Sequence, residues 1–271
     1  MHTSTYHLAR ADDMDWTPHV IGTSIRKVLD LDPSNDSYVH LRYVPPEPAP
    51  LGRRLHMSIN ETFYFVSGDF PSWEYTSPDD TDGQLIIFRG GTFMDREPFS
   101  IHGTRPKPVS QIGCTLLIWT SGGAEFEADP KESIQIPFDS TAPGFNAAFT
   151  MATVIDSTAL DWQPHPTNAG WQWRSLSTRP NDVGLTQRPV SVIYIPPNWQ
   201  CASLLAPVDH RAWMYVLSGG MAVSGDEPHD LTENTYFRWD EGAQPRLNRA
   251  SPVGCTILCV GHDLAFPKAG A

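Results

Sequence analysis

The sequence predicts an all-β protein made of two tandem barrels, and three observations carry that prediction. Its apolar runs are short and end in turns, its turn formers are spread along the whole chain, and the chain is written twice. The runs SYVHLRYV, ETFYFVSG, GQLIIFRGG and CTLLIWTSG are rich in β-branched and aromatic residues, the side chains that fit a pleated, half-buried surface. The 25 prolines and 20 glycines are dispersed among them. No stretch sustains an apolar 3.6-residue period over three helical turns, so many short strands read as a sandwich or jelly-roll barrel.

The repetition sets the domain plan. Asp15-Trp16-Thr17-Pro18-His19 recurs as Asp161-Trp162-Gln163-Pro164-His165, and the segment from Gly22 recurs from Gly170. YVPP at Tyr43 returns as YIPP at Tyr194, FVSG ending at Gly68 returns as VLSG ending at Gly219, and GCTLLIW returns as GCTILCV. Five blocks keep one order at offsets between 141 and 151 residues, so the copies differ by small loop changes. The boundary falls near residue 150, after the turn chemistry of Pro143-Gly144, which gives domains 1–150 and 151–271. Each is large enough to bury its own core.

Charge and composition exclude several classes of function. The formal net charge is -12, with only 19 Lys and Arg, and the pI is about 5.1. A nucleic-acid binder needs a basic face, so none is expected. The first sixteen residues are polar and broken by charges, which is no secretory leader, and no apolar run is long enough to span a membrane. A cytoplasmic protein is the expectation. Cys114, Cys201, Cys255 and Cys259 form no CxxC pair and are expected as buried thiols in a reducing compartment.

Candidate chemistry concentrates in RRLHMSINETFYFVSG and GGTFMDREPFSIHGT. His56 stands five residues before Glu61, Glu61 seven before Gly68, and His102 forty-one after Glu61. Two imidazoles and a carboxylate on adjacent strands make a facial triad that leaves metal positions open. Phe63 and Phe65 are expected to point inward beside Glu61 and keep such a site dry. His40, in SYVHLRYV, would be a fourth ligand only if it faced in, and no motif supports it. His19 and His165 recur together with their Trp and Pro neighbours, which argues for a structural or interface role.

The pattern resembles the cupins of the RmlC-like superfamily. Their first motif has the form G(X)5HXH(X)3-4E(X)6G and their second a Pro followed by a His. Glu61 and Gly68 match E(X)6G, His56 matches the second His of HXH, and His102 follows Pro98. DREPFSIHG also resembles the corresponding segment of ChrR-type and acetylacetone-dioxygenase-type cupins, one residue shorter. The resemblance implies a bicupin, two jelly-roll barrels of the double-stranded β-helix kind, with a metal held by His56, Glu61 and His102. Where the family has the first His of HXH, this chain has Arg54. A guanidinium cannot ligate metal, so Arg54 is expected to point inward and pair with an anionic substrate group, acting in catalysis beside Glu61.

The second copy places Pro207, Ala212 and Leu205 at the positions of His56, Glu61 and Arg54, and Pro245 near that of His102. It is expected to be a degenerate, metal-free barrel, with an apolar ligand pocket lined by Trp199, Trp213 and Trp239 as the other possibility. The function expected is that of a metal-dependent enzyme carrying one divalent transition metal per chain. Fe(II) is favoured, in a dioxygenase acting on a small enolisable or phenolic compound that can bind as an anion. Zn, Mn or Ni serving as Lewis acid in an isomerase, cyclase or lyase is the alternative, and a non-enzymatic metal or small-molecule sensor is the third reading. The two copies are expected to pack as a pseudo-dimer, and C2 homodimerisation is open to the chain.

Overall fold

The computed structural model describes residues 6–19, 22–33, 37–48, 52–55, 60–76, 80–96, 100–120, 152–176, 189–200, 211–224, 228–243 and 246–261, without the side chains of 52–55, 224, 228 and 246. These residues are almost entirely strand, joined by turns and by two single-turn 3₁₀ segments, Ala11–Asp13 and Ser157–Ala159. None of the described residues forms a helix long and apolar enough to cross a membrane.

Two compact units divide the chain: Met14–Thr158, and Met1–Asp13 together with Ala159–Ala271. The first copy opens with β1 (Tyr6–Arg10) and continues through β2 (Thr17–Pro18), β3 (Ile25–Asp32), β4 (Ser37–Val44) and β5 (Gly52–Leu55). Then come the long β6 (Glu61–Tyr75), β7 (Gln84–Arg89), β8 (Thr92–Arg96), β9 (Ile101–Thr104) and β10 (Cys114–Thr120). The second copy opens with β11 (Thr153–Asp156), followed by β12 (Gln163–Pro164), β13 (Gln172–Ser175) and β14 (Val190–Ile195). β15 (Ala212–Ser224), β16 (Pro228–Thr232), β17 (Thr235–Trp239) and β18 (Arg246–Val260) complete it.

The two sheets have one topology. Strand order is β11-β8-β6-β10-β4-β3-β2 in the first unit and β1-β17-β15-β18-β14-β13-β12 in the second. Relative to a cut near residue 150, the opening strand of each copy is exchanged. β1 pairs antiparallel with β17 (Leu8 opposite Phe237), and β11 pairs with β8 (Val154 opposite Met94). Each covers an edge that would otherwise expose unpaired backbone groups. Strands this short carry no pairing signal in sequence, so the repeat alone places them with their own copy.

Alternation along the strands puts one set of side chains inside each barrel. On β6 the inward residues include Phe63 and Phe65, which pack with Tyr38, Val44, Met94, Leu116 and Ile118. The second barrel repeats the arrangement with apolar residues throughout: Ile193, Ile195, Met214, Val216, Val223, Phe237, Trp239, Leu247 and Ile257 form one fully buried cluster. Trp239 belongs to that cluster and Trp199 packs against it, whereas Trp213 is out of phase with inward Ala212 and Met214 and packs on Tyr236. The three tryptophans therefore do not line one pocket.

Both barrels carry the same close contact inside a long strand, β6 in the first and β15 in the second. Gly68 (φ +81°) lies against the Gly113 carbonyl, and a Cβ there would sit 2.0 Å from that oxygen; Gly219 (φ +75°) meets the Gly254 carbonyl at 2.1 Å in the same way. The positive φ and the close approach both exclude a side chain. Gly68→Ala and Gly219→Ala are each expected to cost about 2 kcal/mol or more of unfolding free energy, measured by urea denaturation. Parent-like stability for either would refute the shared constraint.

Candidate functional site

The candidate site lies inside the first barrel, where the inward face changes from apolar to charged. β6 begins at Glu61, whose Cα partner on β8 is Arg96. Thirteen residues along the same strand, Glu74 lies opposite His102 of β9. β9 in turn pairs with β5, which puts Arg54 opposite His102. One long strand thus carries carboxylates at both ends of a wall that two other strands close.

Arg96 joins them. It is buried, and its guanidinium contacts both Glu74 carboxylate oxygens, the Nε bond measuring 3.2 Å. It also donates to Ser72 Oγ at 3.3 Å and lies 3.6 Å from Glu61 Oε2. Ser72 donates to Glu74 Oε1 at 2.9 Å and to the Gly103 carbonyl at 3.4 Å. The guanidinium stands 5.2 Å from the centre of the Phe63 ring. Bidentate pairing of this kind matches the guanidinium fork to a carboxylate, and Ser72 ties the pair to β9.

A cavity of ≈ 40 Å³ opens beside this network, room for roughly three waters at ~10–15 Å³ each. Glu61, Arg96, His102, Ser72 and Arg42 supply its polar wall, and Phe63, Phe65, Phe70, Met94 and Leu116 its apolar wall. His102 is buried, with Nδ1 3.4 Å from the Ser100 carbonyl. Arg42 is partly buried and donates from Nε to Ser24 Oγ at 3.0 Å. Burial lowers its pKa from the usual arginine value, and Glu61 is the largest influence opposing that shift.

Of the residues expected from sequence, Glu61 and His102 come together in this cavity, with Phe63 and Phe65 beside them as anticipated. His56 and Pro98 lie outside the described residues, as do Cys201, Leu205, Pro207 and Pro245 of the second copy. Arg54 is described as backbone only, at its register position opposite His102. The described residues contain no group of three His, Cys, Asp or Glu able to hold a metal. Ala212, at the place of Glu61, is fully buried opposite Trp239 in an apolar interior.

Sequence reading missed Arg42, Ser72, Glu74 and Arg96. The available signal was a charged residue inside an otherwise apolar strand run whose counterpart in the second copy is apolar. Tyr43 matches Tyr194, so Arg42 matches Ile193. The common registers Glu61–Arg96 and Ala212–Trp239 match Arg96 to Trp239.

The other polar residues have structural places. His165 accepts at Nδ1 from the backbone N–H groups of Thr167 and Asn168, both at 3.3 Å, and so fastens a turn. Cys114, Cys255 and Cys259 are buried thiols. Burial pushes Cys114 and Cys255 up to about 12, so neither is a thiolate nucleophile near neutral pH. His40 is 1% exposed and does not line the cavity; it stacks on Tyr38 at 4.9 Å and meets the edge of His19 at 5.6 Å.

Among the described residues neither ring nitrogen of His40 has a hydrogen-bond partner. Burial first, then the nearby His19, Arg42 and Arg26, lower its pKa well below 6.5. The unfolded chain therefore takes up this proton first, and the stability held by the neutral imidazole is full above pH 6.5 and lost as pH falls below it. The loss runs up to about 1.4 kcal/mol per pH unit. His40→Phe, which can keep the stack on Tyr38, should fall less in unfolding free energy between pH 7 and pH 5 than the parent. Equal falls would show that His40 does not titrate in this range.

No protein-family model matches the chain, and no curated protein matches it. Solved structures do. Ylba of E. coli aligns over 96% of this chain and 91% of its own at a TM-score of 0.63 and 10% identity. A Cupin 2 conserved barrel domain protein from Leptotrichia buccalis aligns over 96% and 97%, at 0.56 and 10% identity. Oxalate decarboxylase from Bacillus subtilis aligns over 98% and 78%, at 0.64 and 13% identity. Likeness at such identities is likeness of fold, and it agrees with the strand order repeated in the two units. The chain is an all-β protein of two tandem cupin barrels.

Proposed function

We propose that the first barrel holds one divalent transition metal and is the active site of an enzyme acting on a small anionic compound, with Fe(II) and a dioxygenase reaction favoured. The observation that carries this reading is the convergence of Glu61 and His102 on one small cavity with an apolar wall, in the barrel that keeps both motifs. The donor set fits a metal. A His102 protonated at Nδ1, with the Ser100 carbonyl accepting at 3.4 Å, would offer Nε2 to the metal, the arrangement in which an outer hydrogen bond sets the tautomer of a metal-binding histidine. Glu61 offers a carboxylate oxygen held in place by Arg96. His56 completes the proposed ligand set.

Bound there, the metal would supply Lewis acidity and, as Fe(II), positions for an enolate or phenolate and dioxygen side by side. The chain's own residues do the rest. Phe63, Phe65 and Leu116 exclude water and accept an apolar substrate body. Arg96 keeps the Glu61 carboxylate oriented toward the cavity while its remaining contacts with Glu74 and Ser72 hold the guanidinium still. Arg54, opposite His102 in register, is proposed to meet the charge of the substrate.

A second reading keeps the site and changes the chemistry: a lyase or isomerase using Mn, Zn or Ni as Lewis acid. Its support is the fold likeness to B. subtilis oxalate decarboxylase, a protein with Mn(II) centres. In either reading the second barrel is the metal-free copy, and a cytoplasmic homodimer remains the proposed setting.

Protein purified without added metal should carry one transition metal per chain by elemental analysis. His102→Ala should lose it, and Glu61→Gln should retain it more weakly. Oxygen uptake with β-diketones or phenols supports the dioxygenase; turnover without oxygen uptake supports the second reading. A parent protein that takes up no transition metal would sink both.

A further inference from the structure

Arg42 has a placement that the metal reading does not use. Among the described residues its side chain makes one hydrogen bond, from Nε to Ser24 Oγ at 3.0 Å. The two terminal NH2 groups of the guanidinium have no such partner, although the side chain lines the cavity. Glu61 acts on Arg42 through its charge and also forms an ion pair with Arg96. A guanidinium carries five N–H donors, and withdrawing a cation from water without a matching anion is costly.

The second barrel shows that the fold does not require this arrangement. Backbone bonds of one kind, His19 N to Ser24 O at 2.9 Å and His165 N to Trp171 O at 3.0 Å, make Ser24 the counterpart of Trp171. The polar pair Ser24–Arg42 thus corresponds to Trp171–Ile193, exposed by only 1% and 0%. The same topology closes over an indole and an aliphatic chain. In the first barrel a small hydroxyl replaces the indole and holds the guanidinium by its Nε, in a side chain that lines the cavity and whose two outer nitrogens make no hydrogen bond among the described residues. A bound carboxylate matches that fork with two parallel hydrogen bonds.

We infer that Arg42 is the carboxylate-binding residue of this cavity, receiving on its two terminal nitrogens the carboxylate of a small organic acid. Ser24 positions the fork, and the cavity's size confines the acid to a few non-hydrogen atoms in the enclosed part. The inference rests on the proposed function only in taking this cavity as the site; it requires no metal.

Acetate is the probe and acetamide its uncharged counterpart, titrated calorimetrically into the protein as purified and again after chelator treatment. The parent should bind acetate at least tenfold more tightly than acetamide in both forms. Arg42→Ile, which installs the aliphatic group found at the equivalent place, should bind acetate at least tenfold more weakly, with its metal content unchanged and its melting temperature no lower. Arg42→Lys, which keeps the charge and loses the fork, should fall between, and it decides the matter if Arg42→Ile does not fold. Acetate affinity unchanged in Arg42→Ile, or in Arg42→Lys where that variant decides, overturns the inference. So does equal binding of acetate and acetamide by the parent. Arg42-dependent acetate binding by a parent that carries no transition metal as purified and takes none up would retain this inference and remove the metal reading. A metal-loaded parent whose acetate affinity ignores Arg42 would do the reverse.

Discussion

A buried guanidinium inside a small barrel has to be matched group by group, and the match made by Arg96 organises the first domain of this protein. Glu74, Ser72 and Glu61 surround it, so one cation ties both ends of β6 to β8 and, through the Ser72 contact with the Gly103 carbonyl, to β9. Pairs of this kind do not guarantee stability, because desolvation can cancel their attraction. Their reliable effect is geometric. The guanidinium, bonded to Glu74 and Ser72, stands 3.6 Å from Glu61 Oε2 and draws that carboxylate toward it, and Glu61 is the residue on which the proposed chemistry depends.

The second barrel shows what the same lattice does without that cation. Trp239 takes the place of Arg96, Ala212 that of Glu61, Ile193 that of Arg42 and Trp171 that of Ser24, and the interior closes as a continuous apolar core. Strand order, the glycine-to-carbonyl contacts of β6 and β15 and the exchanged opening strands are retained. The polar residues of the first interior are thus not demanded by the architecture. Four positions change together from ionic or hydroxylic to hydrophobic, the pattern expected when one barrel keeps a ligand site and the other serves as packing.

Charge inside the first barrel also revises the balance suggested by sequence. A triad of His56, Glu61 and His102 with a single arginine, Arg54, reads as a metal centre with one anion contact. Arg42 and Arg96 line the described cavity with Glu61, and Glu74, which pairs with Arg96 from outside the lining, brings the carboxylates to two against two guanidiniums. A divalent metal added to such a site would leave a positive excess for an anionic ligand to neutralise, and Arg42 has the hydrogen-bonding capacity to receive it. The apolar wall of Phe63, Phe65 and Leu116 strengthens such contacts by excluding water.

The sequence by itself determined the all-β class, the duplication and the inward phase of Glu61, Phe63 and Phe65, because these depend on local periodicity, turn residues and self-comparison. Gly68 and Gly219 were legible as equivalent positions of the repeat, but the sequence predicts a strand ending in a tight turn at Gly68, and β6 and β15 instead continue through these glycines. The partners across the barrel were not. Arg96 meets Glu74 from twenty-two residues away, Arg42 meets Ser24 across the β3–β4 pairing, and β1 pairs with a strand more than two hundred residues along the chain. Strand register and bulges set those meetings, and neither is written in a local pattern. Only the tertiary structure decided which charged side chains share the interior, and therefore that the cavity is lined by two arginines as well as by Glu61 and His102.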